Sequence, residues 1–219
     1  MQTLLIDNYD SFTHNLAHYL AEVTGVSPMV VRNDEPGWTP ADLDAFHNVV
    51  ISPGPGHPRR VPDFGICAEV IRDARIPLLG VCLGHQGICT VHGGHVGAAS
   101  EVFHGRESAV VHSGIDILEG VPSPFAAVRY HSLAVTALPE DLEPIAWTQD
   151  GPGGSGRRCR RGSWIRVTGF LLGRVGAGWD SARLVASLHE PPQHGGEDQL
   201  HRQVHLSARA DDGVRARHE

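Results

Sequence analysis

Four short apolar runs, separated by stretches of helical periodicity, leave this chain few folds to choose from. They are "TLLI" (3–6), "MVV" (29–31), "NVVIS" (48–52) and "IPLLGV" (76–81). An unbroken apolar run, without polar alternation, is the mark of a strand buried on both faces. Between the first two, "SFTHNLAHYLAEV" sets Phe12, Leu16, Leu20 and Val23 at steps of three and four, which makes one apolar helix face. "TPADLDAF" opens with a helix-start signal, Thr39 as cap, Pro40 in the first turn and Asp42 three residues after the cap. "DFGICAEVIRDA" is helical in pattern. Strands alternating with helices predict an α/β fold, a mostly parallel sheet with helices on both faces. In such sheets ligands bind beyond the carboxyl ends of the strands. Both "SPGPGHP" and "VCLGHQ" fall at such ends.

From about Val96 the texture changes. Short alternating runs, "SAVVHSG", "AAVRYHSLAV" and "LEPIAWTQDG", with turns between them, predict an antiparallel hairpin region on the edge of the sheet. A second change comes near Gly151. The net charge of −7 divides into −11 over residues 1–150 and +4 over 151–219, and every basic side chain is arginine. "GPGGSGRRCRRGSW" has no periodicity, "WIRVTGFLLG" reads as a strand, and "DSARLVASLHE" as a short helix capped at Asp180. The expected organisation is one domain over residues 1–150 and a divergent Gly/Arg-rich tail over 151–219. The tail lacks the ordered basic stripe and aromatic platform of a nucleic-acid surface, so it reads as solvated arginine.

No apolar run approaches the roughly 18 residues a membrane span needs, and "MQTLLIDNYD" turns acidic without a basic leader. A cytoplasmic protein is expected. The four cysteines (67, 82, 89 and 159) have neither metal-ligand spacing nor the number for a disulfide framework. "HGGH" (92–95) reads as a helix end in a glycine turn. No metal and no organic cofactor are expected.

Gly80-Val-Cys82-Leu-Gly84 has the shape of a nucleophile elbow, a strand–turn–helix whose glycines allow a sharp turn. A helix beginning near Leu83 would aim its N-terminus at Cys82 and favour the thiolate. "LLIDNYDSFTHNL", "SPGPGHP", "GVCLGHQ", "HGR" and "RYHSL", in this order, together resemble the class I glutamine amidotransferases. The likeness is strongest to the glutaminase components of aminodeoxychorismate (para-aminobenzoate) synthase and anthranilate synthase, over residues 1 to about 150. It implies a flavodoxin-like three-layer sandwich, L-glutamine as substrate, and ammonia passed to a chorismate-using synthase subunit. On that likeness Cys82 attacks the carboxamide to give a glutamyl thioester. One N–H of the "PGPG" turn, from Gly54 or Gly56, and the N–H of Leu83 hold the oxyanion. Gln86 and the backbone at Ser132 and Leu133 hold the amino-acid end of glutamine. Tyr130 and His131 share that motif; His85, beside the elbow, reads as structural.

The base for Cys82 does not follow from the sequence. The family's His-Pro-Glu motif, expected after the hairpin region, is absent. The nearest substitute is His189-Glu190 in "LHEPP", and adjacent residues on an extended segment point to opposite faces, unlike an i, i+2 pair. Two explanations of the tail stay open, a reading-frame change near codon 151, which the composition shift favours, and a genuinely divergent tail. The rival functional reading is a docking subunit that lacks the His-Glu of the triad and so hydrolyses glutamine poorly.

Overall fold

A computed structural model of the chain describes residues 1–139, 142, 144–148 and 171–173. The four apolar runs become β1 (Thr3–Asp7), β2 (Met29–Arg32), β3 (Asn48–Ile51) and β4 (Leu78–Gly80). They pair in parallel in the order β2-β1-β3-β4, and β8 (Leu171–Gly173) joins β4 as an antiparallel edge. Successive side chains of a strand point to opposite faces, and both faces here are covered. Leu4, Ile6, Val49, Ile51 and Leu78 enter one core with Phe64, Val70, Leu83 and Ile88. Leu5, Val50, Leu79 and Val81 enter a second core with Leu16 and Leu20. That is the three-layer sandwich, and it explains the unbroken apolar runs of β1, β3 and β4; β2, at the sheet edge, buries only Val31.

Helix α1 (Thr13–Thr24) buries Leu16 and Leu20 and ends at Gly25, whose φ of 72° closes the last turn. Phe12, read from the sequence as part of its apolar face, precedes the helix and is 37% exposed. "TPADLDA" forms a 3₁₀ helix over Pro40–Ala45, with the Thr39 N–H donating to Asp42 Oδ2 at 2.7 Å. "DFGICAEVIRDA" is not one helix but two, α2 (Val61–Phe64) and α3 (Cys67–Asp73). Gly65 breaks them at φ 43°, and a Cβ there would strike the carbonyl oxygen of Asn33. Helix α4 (Leu83–Val91) follows β4 directly.

The hairpin region builds a sheet of its own instead of extending the parallel one. Its order is β6-β5-β7, from β5 (His95–His112), β6 (Phe125–Ala137) and β7 (Ala146–Thr148). Register shifts between Ala98 and Phe103 and between His104 and Arg106 bend β5, as bulges do. The strand read in "WIRVTGFLLG" is present as β8 at its final residues. The helix read over "DSARLVASLHE" lies outside the described residues, as do His189 and Glu190.

Candidate active site

The carboxyl ends of β1, β3 and β4 meet at the sharp turn that holds Cys82. Cys82 has φ 51° and ψ −103°, a region costly for any residue with a Cβ. The turn is possible because Gly80 and Gly84 press together; a Cβ on Gly80 would lie 2.5 Å from the carbonyl carbon of Gly84. Val81 N–H donates to Ile51 O, and Gln86 N–H to Cys82 O, both at 2.9 Å. The cysteine thus caps α4 with its backbone while its side chain packs against the α1-side core.

Burial pushes the Cys82 thiol above its ordinary value, the Leu83 N–H opposes that shift, and the Asp10 carboxylate adds to it. The helix end at Leu83 therefore pulls in the direction read from the sequence, but desolvation outweighs it. Asp10 sits in the β1–α1 loop, where its Oδ1 accepts the Phe12 N–H at 2.8 Å.

Gly54 is wedged between this turn and the end of β1. A Cβ there would lie 2.5 Å from Asn8 Cβ and 2.8 Å from Leu83 Cδ2. Gly54 and Leu83 are therefore neighbours. Gly56 is not part of that contact. Its φ is 87°, and a Cβ would run into the Asp63 carboxylate, which accepts the His57 N–H at 2.9 Å.

Gln86 is buried on α4 and reaches the hairpin sheet, its Nε2 donating to Leu133 O at 3.4 Å. The same oxygen accepts His131 Nδ1–H at 3.0 Å, and Arg129 Nε–H donates to His131 Nε2 at 3.3 Å. These partners hold the His131 ring between Arg129 and Leu133 O. Alternation along β6 puts Arg129, His131 and Leu133 on the inner side, whereas Ser132 and Tyr130 are exposed. Gln86 and Leu133 thus come together, and Ser132 stands on the outer face of the strand. His85 is buried, and burial and then neighbouring His131 hold its imidazole down to about 4.

Several buried polar residues here went unread from the sequence. Asn8, Asn33 and Ser52 form a buried network behind Gly54. Its available signal was a pair of asparagines placed where apolar strands end. Arg129 is fully buried, its guanidinium carbon 3.2 Å from the centre of the Phe103 ring and its Nη1 donating to Ser108 Oγ at 2.9 Å. Its inward position follows from period-two alternation with His131 and Leu133. Among the described residues no helix is long and apolar enough to cross a membrane.

Known proteins are similar to this chain in sequence and in fold. Aminodeoxychorismate synthase of Streptomyces griseus is 60% identical over 151 residues, which are 69% of this chain and 21% of that protein. The chain thus spans about a fifth of the length of that relative. Anthranilate synthase component 2 of Methanothermobacter marburgensis is 48% identical over 160 residues, 68% of this chain and 79% of that protein. A crystal structure of a glutamine amidotransferase from Thermotoga maritima shares the fold, with a TM-score of 0.55 at 17% identity over 67% of this chain and 66% of that one. The family model described as Glutamine amidotransferase class-I matches residues 4–159, so the chain belongs to the class-I glutamine amidotransferase family.

Proposed function

We propose that this chain is the glutaminase part of a chorismate-using synthase, with Cys82 as its nucleophile. The observation that carries the reading is the Cys82 turn itself, a strained cysteine at a helix start with Gly54 against Leu83. The thiolate adds to the carboxamide carbon of L-glutamine, and the oxygen takes up the negative charge between the N–H groups of Gly54 and Leu83. Collapse breaks the C–N bond, the nitrogen leaves as ammonia after accepting a proton, and water cleaves the glutamyl thioester. Of the two glycines of the turn, the wedge against Leu83 favours Gly54 as the donor and leaves Gly56 to shape the loop. Gln86, with the backbone at Ser132 and Leu133, holds the amino-acid end of the substrate.

The amidotransferase domain is taken as residues 1–150, with 151–219 as its tail. The partner is a synthase subunit or domain, not a membrane or a nucleic acid, and the compartment is the cytoplasm. The aminodeoxychorismate branch is preferred over the tryptophan branch, since the Streptomyces griseus relative is 60% and the Methanothermobacter marburgensis relative 48% identical.

A second reading has an observation of its own. No His-Pro-Glu follows the hairpin region in the sequence, and burial raises the Cys82 thiol. Such a chain docks to its synthase but hydrolyses glutamine slowly. Ammonia release from glutamine, measured with and without a synthase partner and in Cys82→Ser, separates the two. Without a general base, turnover falls short of intact relatives by at least about 10²-fold. Turnover equal to theirs contradicts the impaired reading, and turnover that persists in Cys82→Ser contradicts both.

A further inference from the structure

We propose that Asn8 is a positioning residue that aims the Gly54 N–H, and with it the oxyanion site shared with Leu83. This rests on the glutaminase reading of Cys82. Asn8 holds Ser52 at two points, its backbone N–H donating to Ser52 Oγ and its Nδ2 to Ser52 O, each at 2.9 Å. Ser52 Oγ donates in turn to Pro53 O at 2.6 Å. That carbonyl belongs to the same peptide unit as the Gly54 N–H. In a planar trans peptide the N–H points opposite the C=O, so pinning the oxygen sets the direction of the donor. A flip of this one peptide would present a carbonyl where the oxyanion needs an N–H.

Asn8 is itself held in one orientation. Its Oδ1 accepts Asn33 Nδ2–H at 2.9 Å and the Cys67 thiol at 3.3 Å. The Asn33 amide also donates to Asp63 O at 3.0 Å, which ties α2 to the same cluster. Asn8, Asn33, Ser52 and Cys67 are each no more than 1% exposed. The polar atoms through which Asn8 acts all have partners, while Asn33 Oδ1 at the far side of the cluster has none; satisfied buried polar groups rigidify what they surround. The glycine completes the device, because a Cβ at residue 54 would collide with Asn8 itself.

The test uses the full chain with Asn8→Ala, which removes the side-chain hold on Ser52 O and keeps the backbone N–H on Ser52 Oγ, and with Ser52→Ala, which removes the hydroxyl pin on Pro53 O. The oxyanion forms only on the way to the transition state, so kcat for glutamine is expected to fall about 10²-fold in each variant. KM stays within about threefold, and alkylation of Cys82 by iodoacetamide, which forms no oxyanion, stays within about twofold. The amide nitrogen shift of Gly54, which reports the orientation of the Pro53–Gly54 peptide, changes in each variant. Unchanged kcat in a folded variant overturns the proposal, as does a parallel fall in kcat and alkylation. If the unmodified chain releases no ammonia, the glutaminase reading fails on its own. The amide nitrogen shift of Gly54 then decides for Asn8, displaced in the variants in support and unchanged against.

Discussion

His85 shows how far the neighbourhood of a residue can override its chemistry. It follows the nucleophile candidate by three positions, yet burial and His131 hold its imidazole down to about 4. The folded state therefore keeps His85 neutral, while the unfolded chain protonates near the ordinary 6.5. Stability from this residue is fully present above pH 6.5 and is lost as pH falls from there to about 4. At about 1.4 kcal/mol per pH unit across that window, the loss is roughly 3 kcal/mol by pH 4. Urea unfolding between pH 7 and pH 4 is expected to show a slope that flattens in His85→Gln. An identical slope in both proteins would contradict the assignment. A sequence places His85 next to Cys82 but cannot state its burial, which depends on α4 packing under β6.

Helix α4 lies flat on the parallel sheet because it has glycine where it touches. A Cβ on Gly84 would sit 2.5 Å from Ile51 O and 2.9 Å from Ile51 Cβ, and one on Gly87 would enter the Phe64 ring. Backbone oxygen in β3 has nowhere to go, so Gly84→Ala has to lift the start of α4. The expected cost is about 2 kcal/mol, within the usual range for overpacking, read as a lower urea midpoint; an unchanged midpoint would contradict the close packing. The elements themselves were largely legible. Apolar runs gave β1 to β4, and the three-and-four spacing gave α1. The break at Gly65 was not, because it answers to Asn33 O from another part of the chain. Nor was the separation of the hairpins into their own sheet, since alternation reports which face is buried and not which sheet a strand joins. Arg129 was legible in its inward direction, from alternation with His131 and Leu133, but not in its partners. Its neighbours Phe103 and Ser108 come from β5 across the hairpin.

On the scale of the molecule, the arrangement joins a parallel sheet that holds Cys82 and Gly54 to a hairpin sheet that meets it through Gln86 and Leu133. The parallel sheet is closed beyond β4 by β8, whose register sets Leu79 opposite Leu172. Truncation after residue 150 removes β8 and leaves the apolar edge of β4 unpaired, a template for association with other chains. The truncated chain is expected to unfold at lower urea and to scatter more light than the full chain, and equal midpoints would show that β8 contributes nothing. The central claim is that Cys82 becomes covalently acylated by glutamine. Acid quenching of the chain with excess glutamine, followed by mass spectrometry of the peptide that carries Cys82, tests it most directly. A glutamyl adduct on that peptide, absent in Cys82→Ser, is the predicted result; ammonia released with no adduct, and equally from Cys82→Ser, would contradict it.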